Sequence, residues 1–242
     1  MTDVLLLHAF PLSAEMWAGQ IEALKAAGHT VIAPDLPGFG QAAGLAAPSI
    51  EQFARHAMGA LDRAHVSRAV VCGLSMGGYI AFRLLAAAPE RVIGLVLCDT
   101  RADADSAEAR QRRQTQIERI DREGMGWLAS EMLPGLLSAS ATDQVKARAR
   151  AIIATASAVG VQGALRALAD RPDSTPLLSQ IKVPTAVIVG AADGLTTPAV
   201  ARAMASEIHG AVVTELANAG HLSNLEAPVE FNTALLAAVR RA

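Results

Sequence analysis

The stretch Ala69-Val70-Val71-Cys72-Gly73-Leu74-Ser75-Met76-Gly77-Gly78 decides the fold of this 242-residue chain. Its first half is a short run of β-branched and other apolar residues, and a helical pattern follows directly after it. Glycines two positions before and after Ser75 let a strand and a helix approach closely, while the serine adopts a strained backbone and projects its hydroxyl. The stretch therefore predicts a strand, a sharp turn and a helix, with Ser75 as a nucleophile.

A histidine is needed next, because a serine hydroxyl is a poor nucleophile until a neighbouring base takes its proton. His221 lies in Asn218-Ala219-Gly220-His221-Leu222, after the last predicted strand and before the C-terminal helix. That position is a loop at the carboxyl edge of the predicted sheet, where the active sites of open α/β sheets form. We therefore predict that His221 is the base. The remaining candidates, His29, His56, His65 and His209, fall on helices or turns away from that edge.

An acid should fix the tautomer of the histidine, and in this arrangement the chain order is serine, acid, histidine. Asp193 follows a predicted strand in Gly190-Ala191-Ala192-Asp193-Gly194-Leu195, a loop of small residues that can pass close to a histidine. Asp99 follows the preceding sheet strand and is a competing candidate. We favour Asp193 as the acid, and we interpret Asp35 as stabilising its own turn.

Hydrolysis through a tetrahedral intermediate also needs backbone N–H groups directed at the oxyanion. Met76 directly follows the nucleophile and begins a predicted helix, where the helix dipole favours negative charge. The loop after the first strand, His8-Ala9-Phe10-Pro11, should supply a second donor. We predict an oxyanion hole formed by the amides of Phe10 and Met76.

Short apolar runs alternate with longer helical patterns, which indicates β-α-β units on a parallel sheet. The predicted strands cover residues 4–7, 30–33, 69–72, 93–98, 185–189 and 212–216, and the predicted helices outside residues 101–180 cover 15–27, 49–64, 76–88, 198–208 and 228–240. Residues 101–180 contain no convincing strand and favour three or four helices. We predict an α/β core over 1–100 and 181–242 and a helical cap over 101–180. The first cap helix, 105–123, is rich in Glu, Arg and Gln, and we interpret it as a solvated face.

Charge and composition limit the possible partners. The 21 basic and 23 acidic residues give a formal charge of −2, which provides no field that would attract nucleic acid or an anionic membrane. No run reaches the roughly 20 apolar residues of a membrane span, and no basic leader precedes the first strand. We expect a cytoplasmic monomer or homodimer that acts on a small molecule.

The six histidines form no His-x-x-x-His pair, and we interpret the two cysteines as buried thiols. We therefore predict no metal and no cofactor.

These motifs make the chain resemble the α/β-hydrolase superfamily, and within it the small carboxylesterases and 3-oxoadipate enol-lactonases. Residues 8–13, with Met16 and Trp17, resemble the oxyanion loop of that family, residues 33–40 its next turn, residues 73–78 its nucleophile elbow, and residues 219–226 the enol-lactonase histidine loop. Ala9 departs from the glycine that most members have there. The resemblance implies an α/β-hydrolase fold with about six strands in a mostly parallel sheet. It also implies that the usual N-terminal hairpin is missing and that residues 30–33 form one edge.

The resemblance and the candidate residues together imply a serine hydrolase that cleaves a small carboxylic ester or lactone through an acyl-enzyme. A second hypothesis is a hydrolase-fold ligand sensor that keeps Ser75, Asp193 and His221 but turns over slowly. A third is a structural α/β domain in which these residues coincide by chance. We predict a small, apolar substrate pocket under residues 101–180, with Trp17, Trp127 and Leu222 among its walls.

Overall fold

The computed structural model describes all 242 residues and contains one six-stranded sheet. Its strands are β1 (Asp3–Leu7), β2 (Thr30–Ile32), β3 (Ala69–Leu74), β4 (Val92–Cys98), β5 (Thr185–Gly190) and β6 (Val212–Leu216). The order across the sheet is β2-β1-β3-β4-β5-β6, and all five pairings are parallel. The sequence located every one of these strands, and the predicted fold class is confirmed.

Burial along the strands follows their place in the sheet. Every residue of β3 and β5 is buried, because helices cover both faces of a parallel sheet. The edge strand β2 is only three residues long, and its residues are partly or fully exposed. A short edge offers few unpaired backbone groups to another chain. The strand order places β2 at one edge of the sheet, which confirms the predicted edge position of residues 30–33.

Eleven helices surround the sheet. In chain order they are α1 (Ala18–Ala26), α2 (Ile50–Arg63), α3 (Met76–Ala87), α4 (Ala107–Glu123), α5 (Leu128–Leu136), α6 (Asp143–Ile153), α7 (Ala158–Ala169), α8 (Thr175–Leu178), α9 (Pro198–Ser206), α10 (Ser223–Glu226) and α11 (Pro228–Arg241). Side-chain caps from Ser49, Ser106 and Thr142 begin α2, α4 and α6. The helix predicted over 15–27 begins as a 3-10 turn, Ala14–Trp17, before α1.

Helices α4 to α8 lie between β4 and β5 in the chain, where the cap is predicted. The insertion therefore leaves the sheet at its carboxyl edge. Helix α7 is packed closely against the loop after β2, because a Cβ atom added to Gly160 would lie 2.1 Å from the Cα of Gly38. That contact needs glycine on both sides, and it holds the insertion against the core.

Candidate active site

Ser75 occupies the turn between β3 and α3 with φ 53° and ψ −112°, a strained conformation for a residue with a side chain. The glycines beside it are needed for close packing. A Cβ atom at Gly73 would lie 2.2 Å from the carbonyl oxygen of Gly77, and one at Gly77 would lie 2.1 Å from that of Leu7. The strand and helix thus meet backbone against backbone, as the motif predicts.

Two contacts hold this turn in place. The Ser75 amide donates to the carbonyl of Cys98 over 2.9 Å, and the Thr100 hydroxyl donates to the Ser75 carbonyl over 2.8 Å. Thr100 also packs against Gly78, where a Cβ atom would lie 2.4 Å from its hydroxyl oxygen. Sequence reasoning missed Thr100, although its position at the end of β4, next to the turn, was a usable signal.

His221 and Asp193 are joined by a hydrogen bond of 2.8 Å between Nδ1 and Oδ2. The other carboxylate oxygen of Asp193 accepts from the amides of Leu195 and Thr196, at 2.8 and 2.9 Å. An ionised carboxylate can only accept, so the imidazole proton lies on Nδ1 and Nε2 is left with its lone pair. Both side chains are buried, which excludes water from the bond between them.

Close packing of two loops makes that hydrogen bond possible. A Cβ atom at Gly190 would lie 2.1 Å from the carbonyl oxygen of Gly220, and the Ala192 amide donates to the Ala219 carbonyl over 2.8 Å. The acid loop and the histidine loop are therefore in direct backbone contact. The small residues around Asp193 allow this backbone contact, because larger side chains would hold the two loops apart.

Asp99, the competing acid, makes no hydrogen bond to His221. One of its oxygens accepts from the Gly190 amide over 2.8 Å, and the other accepts from the Ser223 hydroxyl over 2.5 Å. Complete burial raises the pKa of Asp99 well above its usual value. Asp99 thus connects the loop before Asp193 with the segment after His221.

Phe10 and Met76, whose backbone amides are the predicted oxyanion donors, line the same cavity as Ser75 and His221. Neither amide donates a hydrogen bond to another protein group. Met76 is the first residue of α3, where the helix dipole favours an anion. The two amides are therefore available to a ligand. Ser75 and His221 both line this cavity, but no hydrogen bond joins Oγ and Nε2; such bonds are often long in unliganded sites.

His8 supports the loop that carries Phe10. Its Nε2 accepts from the Leu36 amide over 3.0 Å, so Nδ1 bears the proton and donates to the Ala9 carbonyl over 3.0 Å. Burial lowers the pKa of His8 to about 4. The ring is consequently neutral and fixes the loop by two backbone contacts.

The cavity has a volume of about 330 Å³, near the lower end of the range for small-molecule sites, roughly 300 to 1,000 Å³. Ten of its seventeen lining residues come from residues 101–180, so this insertion covers the site as expected. The insertion supplies Met132, Leu136 and Leu168 as apolar walls, and also Arg101, Asp105, Arg112, Arg113 and Arg171. The expected small size agrees with this volume, whereas the expected apolar character is wrong.

The three residues predicted as pocket walls all lie outside the cavity. Trp17 is completely buried and packs on Phe231, with ring centroids 5.9 Å apart. Trp127 lies at the start of α5 with the Arg119 guanidinium 4.1 Å from its ring centroid. Leu222 is completely buried, and its amide donates to the Leu136 carbonyl. The apolar character of a side chain does not tell whether it is packed inside the protein or lines the cavity.

The polar helix α4 corrects another interpretation. Residues 109, 112, 113 and 116 line the cavity, and their spacing places them on one face of the helix. This face is turned toward the site, so it is not merely a solvated surface. The spacing of these four positions, three, four and seven residues after the first, was the signal that could have found it.

Metal-ligating clusters, cysteines and apolar helices are the other kinds of potential binding site. No group of three or more His, Cys, Asp or Glu side chains is placed to hold a metal ion. Cys72 and Cys98 are both buried and free. No single helix is long and apolar enough to cross a membrane, and only α6 and α7 taken together, bent by 98°, reach that length and composition.

A family model described as the alpha/beta hydrolase family matches residues 4–234. The chain belongs to this family. It is 30% identical to 3-oxoadipate enol-lactonase 2 of Acinetobacter baylyi, over 93% of this hydrolase and 84% of that protein. A thermophilic esterase from Thermogutta terrifontis, solved with malate bound, superposes with a TM-score of 0.95 at 38% identity, covering 99% and 90% of the two chains. The enol-lactonase of Burkholderia xenovorans LB400 gives 0.89 at 31%, covering 99% and 91%. These relatives of the hydrolase are named as esterases and lactonases.

Proposed function

We propose that this hydrolase cleaves a small carboxylic ester or lactone through a covalent acyl-enzyme, with Ser75 as nucleophile, His221 as base and Asp193 as its orienting acid. The observation that carries the proposal is the hydrogen bond from His221 Nδ1 to Asp193, which leaves Nε2 able to accept a proton. The strained turn of Ser75 faces the same cavity. The family to which this hydrolase belongs, and its esterase and lactonase relatives, support the same reaction class.

The reaction begins when Ser75 Oγ attacks the carbonyl carbon and His221 Nε2 takes the hydroxyl proton. The carbonyl oxygen becomes an oxyanion that accepts hydrogen bonds from the amides of Phe10 and Met76. His221 then donates its proton to the leaving oxygen, and the C–O bond breaks. Ser75 is left as an ester of the acyl group. A lactone passes through the same step with its alcohol still attached to the acyl chain.

Water completes the cycle. His221 takes a proton from a water molecule as that water attacks the acyl-enzyme, and the same two amides hold the second oxyanion. Ser75 leaves with the proton from His221, and the carboxylic acid is released. Asp193 stabilises the imidazolium formed in both halves of the cycle. Every bond change uses groups of this chain and one water, so the scheme needs no cofactor.

Kinetics with p-nitrophenyl esters of increasing acyl length, run beside a set of lactones, test this proposal. We expect repeated turnover of short acyl groups and a fall in kcat/KM as the acyl chain outgrows the 330 Å³ cavity. A single slow turnover on every ester and lactone would favour the sensor hypothesis instead. Efficient hydrolysis of long-chain triglycerides would contradict the small cavity.

A further inference from the structure

A cluster of arginines from the insertion faces the same cavity as Ser75. Arg101 precedes α4, Arg112 and Arg113 lie on it, and Arg171 follows α7. The proposed ester hydrolysis uses none of them. Arg171 is not a surface residue, because its side chain is 4% exposed and that of its partner Asp105 is 5% exposed.

Asp105 holds two of these arginines in fixed positions. Its carboxylate pairs with both Arg113 and Arg171. Arg171 also donates to the carbonyls of Asp103 and Leu168, each over 3.1 Å, and its guanidinium lies 4.3 Å from the ring centroid of Tyr79. Burial opposes the charge of Asp105, but its hydrogen bond with Arg113 and the charges of Arg113 and Arg171 outweigh that penalty and lower its pKa. The anchored arginines are therefore part of the cavity before any ligand arrives.

Positive charge exceeds negative charge on this side of the cavity. Arg101 is paired with Asp103 through two hydrogen bonds of 2.5 Å, and one carboxylate, Asp105, serves two arginines. Arg112 forms no hydrogen bond or ion pair, although its charge acts on Glu108, four residues earlier on α4. Four guanidinium groups, of Arg101, Arg112, Arg113 and Arg171, thus stand against three carboxylates, of Asp103, Asp105 and Glu108. Asp193 forms no ion pair with these arginines, because its oxygens are bound by His221 and by the amides of Leu195 and Thr196.

Guanidinium nitrogens also remain free to bind. Nη1 of Arg101, Nη1 of Arg113 and Nη2 of Arg171 donate to no protein acceptor, and none of these atoms is sealed from solvent. A hydrogen bond from a guanidinium nitrogen to a carboxylate is charge-assisted and about twice as strong as a neutral one. The free donors and the excess charge together form a site for one anionic group.

We propose that the substrate is an ester or lactone that carries a free carboxylate, which these arginines bind while its carbonyl lies against Ser75. The proposal deepens, and rests on, the proposed ester hydrolysis. The carboxylate and the scissile carbonyl belong to one compact molecule, because a single cavity of about 330 Å³ contains both sets of groups. Arg112, which forms no hydrogen bond or ion pair within the protein, contributes most to the preference for the anion.

Matched substrates test this assignment. Monomethyl glutarate is an anion at neutral pH, and dimethyl glutarate has the same chain without the charge. We expect kcat/KM for the monoester to exceed that for the diester by about tenfold or more in low salt, and this ratio to fall as sodium chloride screens the charges. Arg112→Gln should lower the ratio about tenfold, the loss of one charge-assisted contact, and Arg112→Lys should lower it less. Arg122→Gln, on the same helix but outside the cavity, should leave the ratio unchanged.

Binding to Ser75→Ala separates this proposal from the proposed hydrolysis. Calorimetry should show monomethyl glutarate binding to Ser75→Ala, and about tenfold weaker binding when Arg112→Gln is added. If no ester is turned over but this binding holds, the hydrolysis fails and the anion site stands. A diester preferred over the monoester, with a ratio that Arg112→Gln does not change and equal binding in both calorimetric experiments, would overturn the anion site.

Discussion

Ser223, two residues after His221 in the chain, donates a hydrogen bond of 2.5 Å to Asp99. Through its other oxygen Asp99 accepts from Gly190, three residues before Asp193. One buried carboxyl group therefore connects the loop of the base with the loop of the acid. Its role is to position them, while the direct contact with the imidazole belongs to Asp193.

Replacing each aspartate by asparagine distinguishes the two roles. Asp193→Asn should reduce kcat by roughly four orders of magnitude, because an amide favours the wrong histidine tautomer. Asp99→Asn should cost far less, since the raised pKa favours a protonated acid and an amide keeps both an acceptor for Gly190 and a polar partner for Ser223. Steady-state kinetics of the two variants check this. The opposite order of effects would move the acid to the end of β4.

Glu226 connects the insertion with the histidine loop, and its loss should destabilise the fold. It accepts from the amides of Gly220 and Ser138, at 2.9 and 3.0 Å, and from the Ser138 hydroxyl. Glu226→Ala would leave two backbone amides without partners, which should lower the free energy of unfolding by about 2 kcal/mol or more. Ser138→Ala removes only the hydroxyl and should cost about 1 kcal/mol. Urea denaturation measures both, and equal losses would contradict this account of Glu226.

His8 should make stability depend on pH. Its pKa is about 4 in the fold against 6.5 for the free side chain, so the unfolded chain binds a proton first. The stabilisation from neutral His8 is complete above pH 6.5 and is lost as the pH falls toward 4, by roughly 3 kcal/mol in total. Urea denaturation between pH 7 and pH 4 measures the loss. His8→Gln should be less stable at pH 7 but have a shallower slope, and identical slopes would refute the assignment.

Met132 and Trp127 provide a matched test of the cavity wall. Met132 lines the cavity, whereas Trp127 lies outside it under Arg119. Met132→Ala should therefore shift the preference toward longer acyl groups, by up to about fourfold in kcat/KM for each added methylene. Trp127→Ala should leave the acyl-length profile unchanged. A shift in the acyl-length profile of the Trp127 variant alone would contradict this assignment and would place Trp127 in the cavity wall, as the sequence predicted.

The sequence located the sheet and the candidate catalytic groups well, for a physical reason. Ser75 and Asp193 follow wholly buried strands, and His221 follows the last strand, β6. The glycines around them mark places where backbones touch. Such steric requirements are local and therefore visible in a single chain. The six strands were found for the same reason, with boundaries that differ by at most two residues at either end.

The cavity wall was less predictable, because it depends on how helices of the insertion are rotated and packed. A tryptophan such as Trp17 can fill a core or line a pocket with the same sequence pattern. The arginines on α4 have the composition of a solvated helix, and only the packing of the insertion turns residues 109, 112, 113 and 116 toward Ser75. Asp105 lies outside the helix and pairs with Arg171, 66 positions away, which local spacing cannot reveal.

The most direct test of the central claim is the location of a covalent adduct. A fluorophosphonate should add once per chain, and peptide mapping by mass spectrometry should place it on Ser75. Ser75→Ala should remain folded by circular dichroism, take up no label and hydrolyse no ester. An adduct on another residue, or full ester hydrolysis by Ser75→Ala, would contradict the proposed acyl-enzyme.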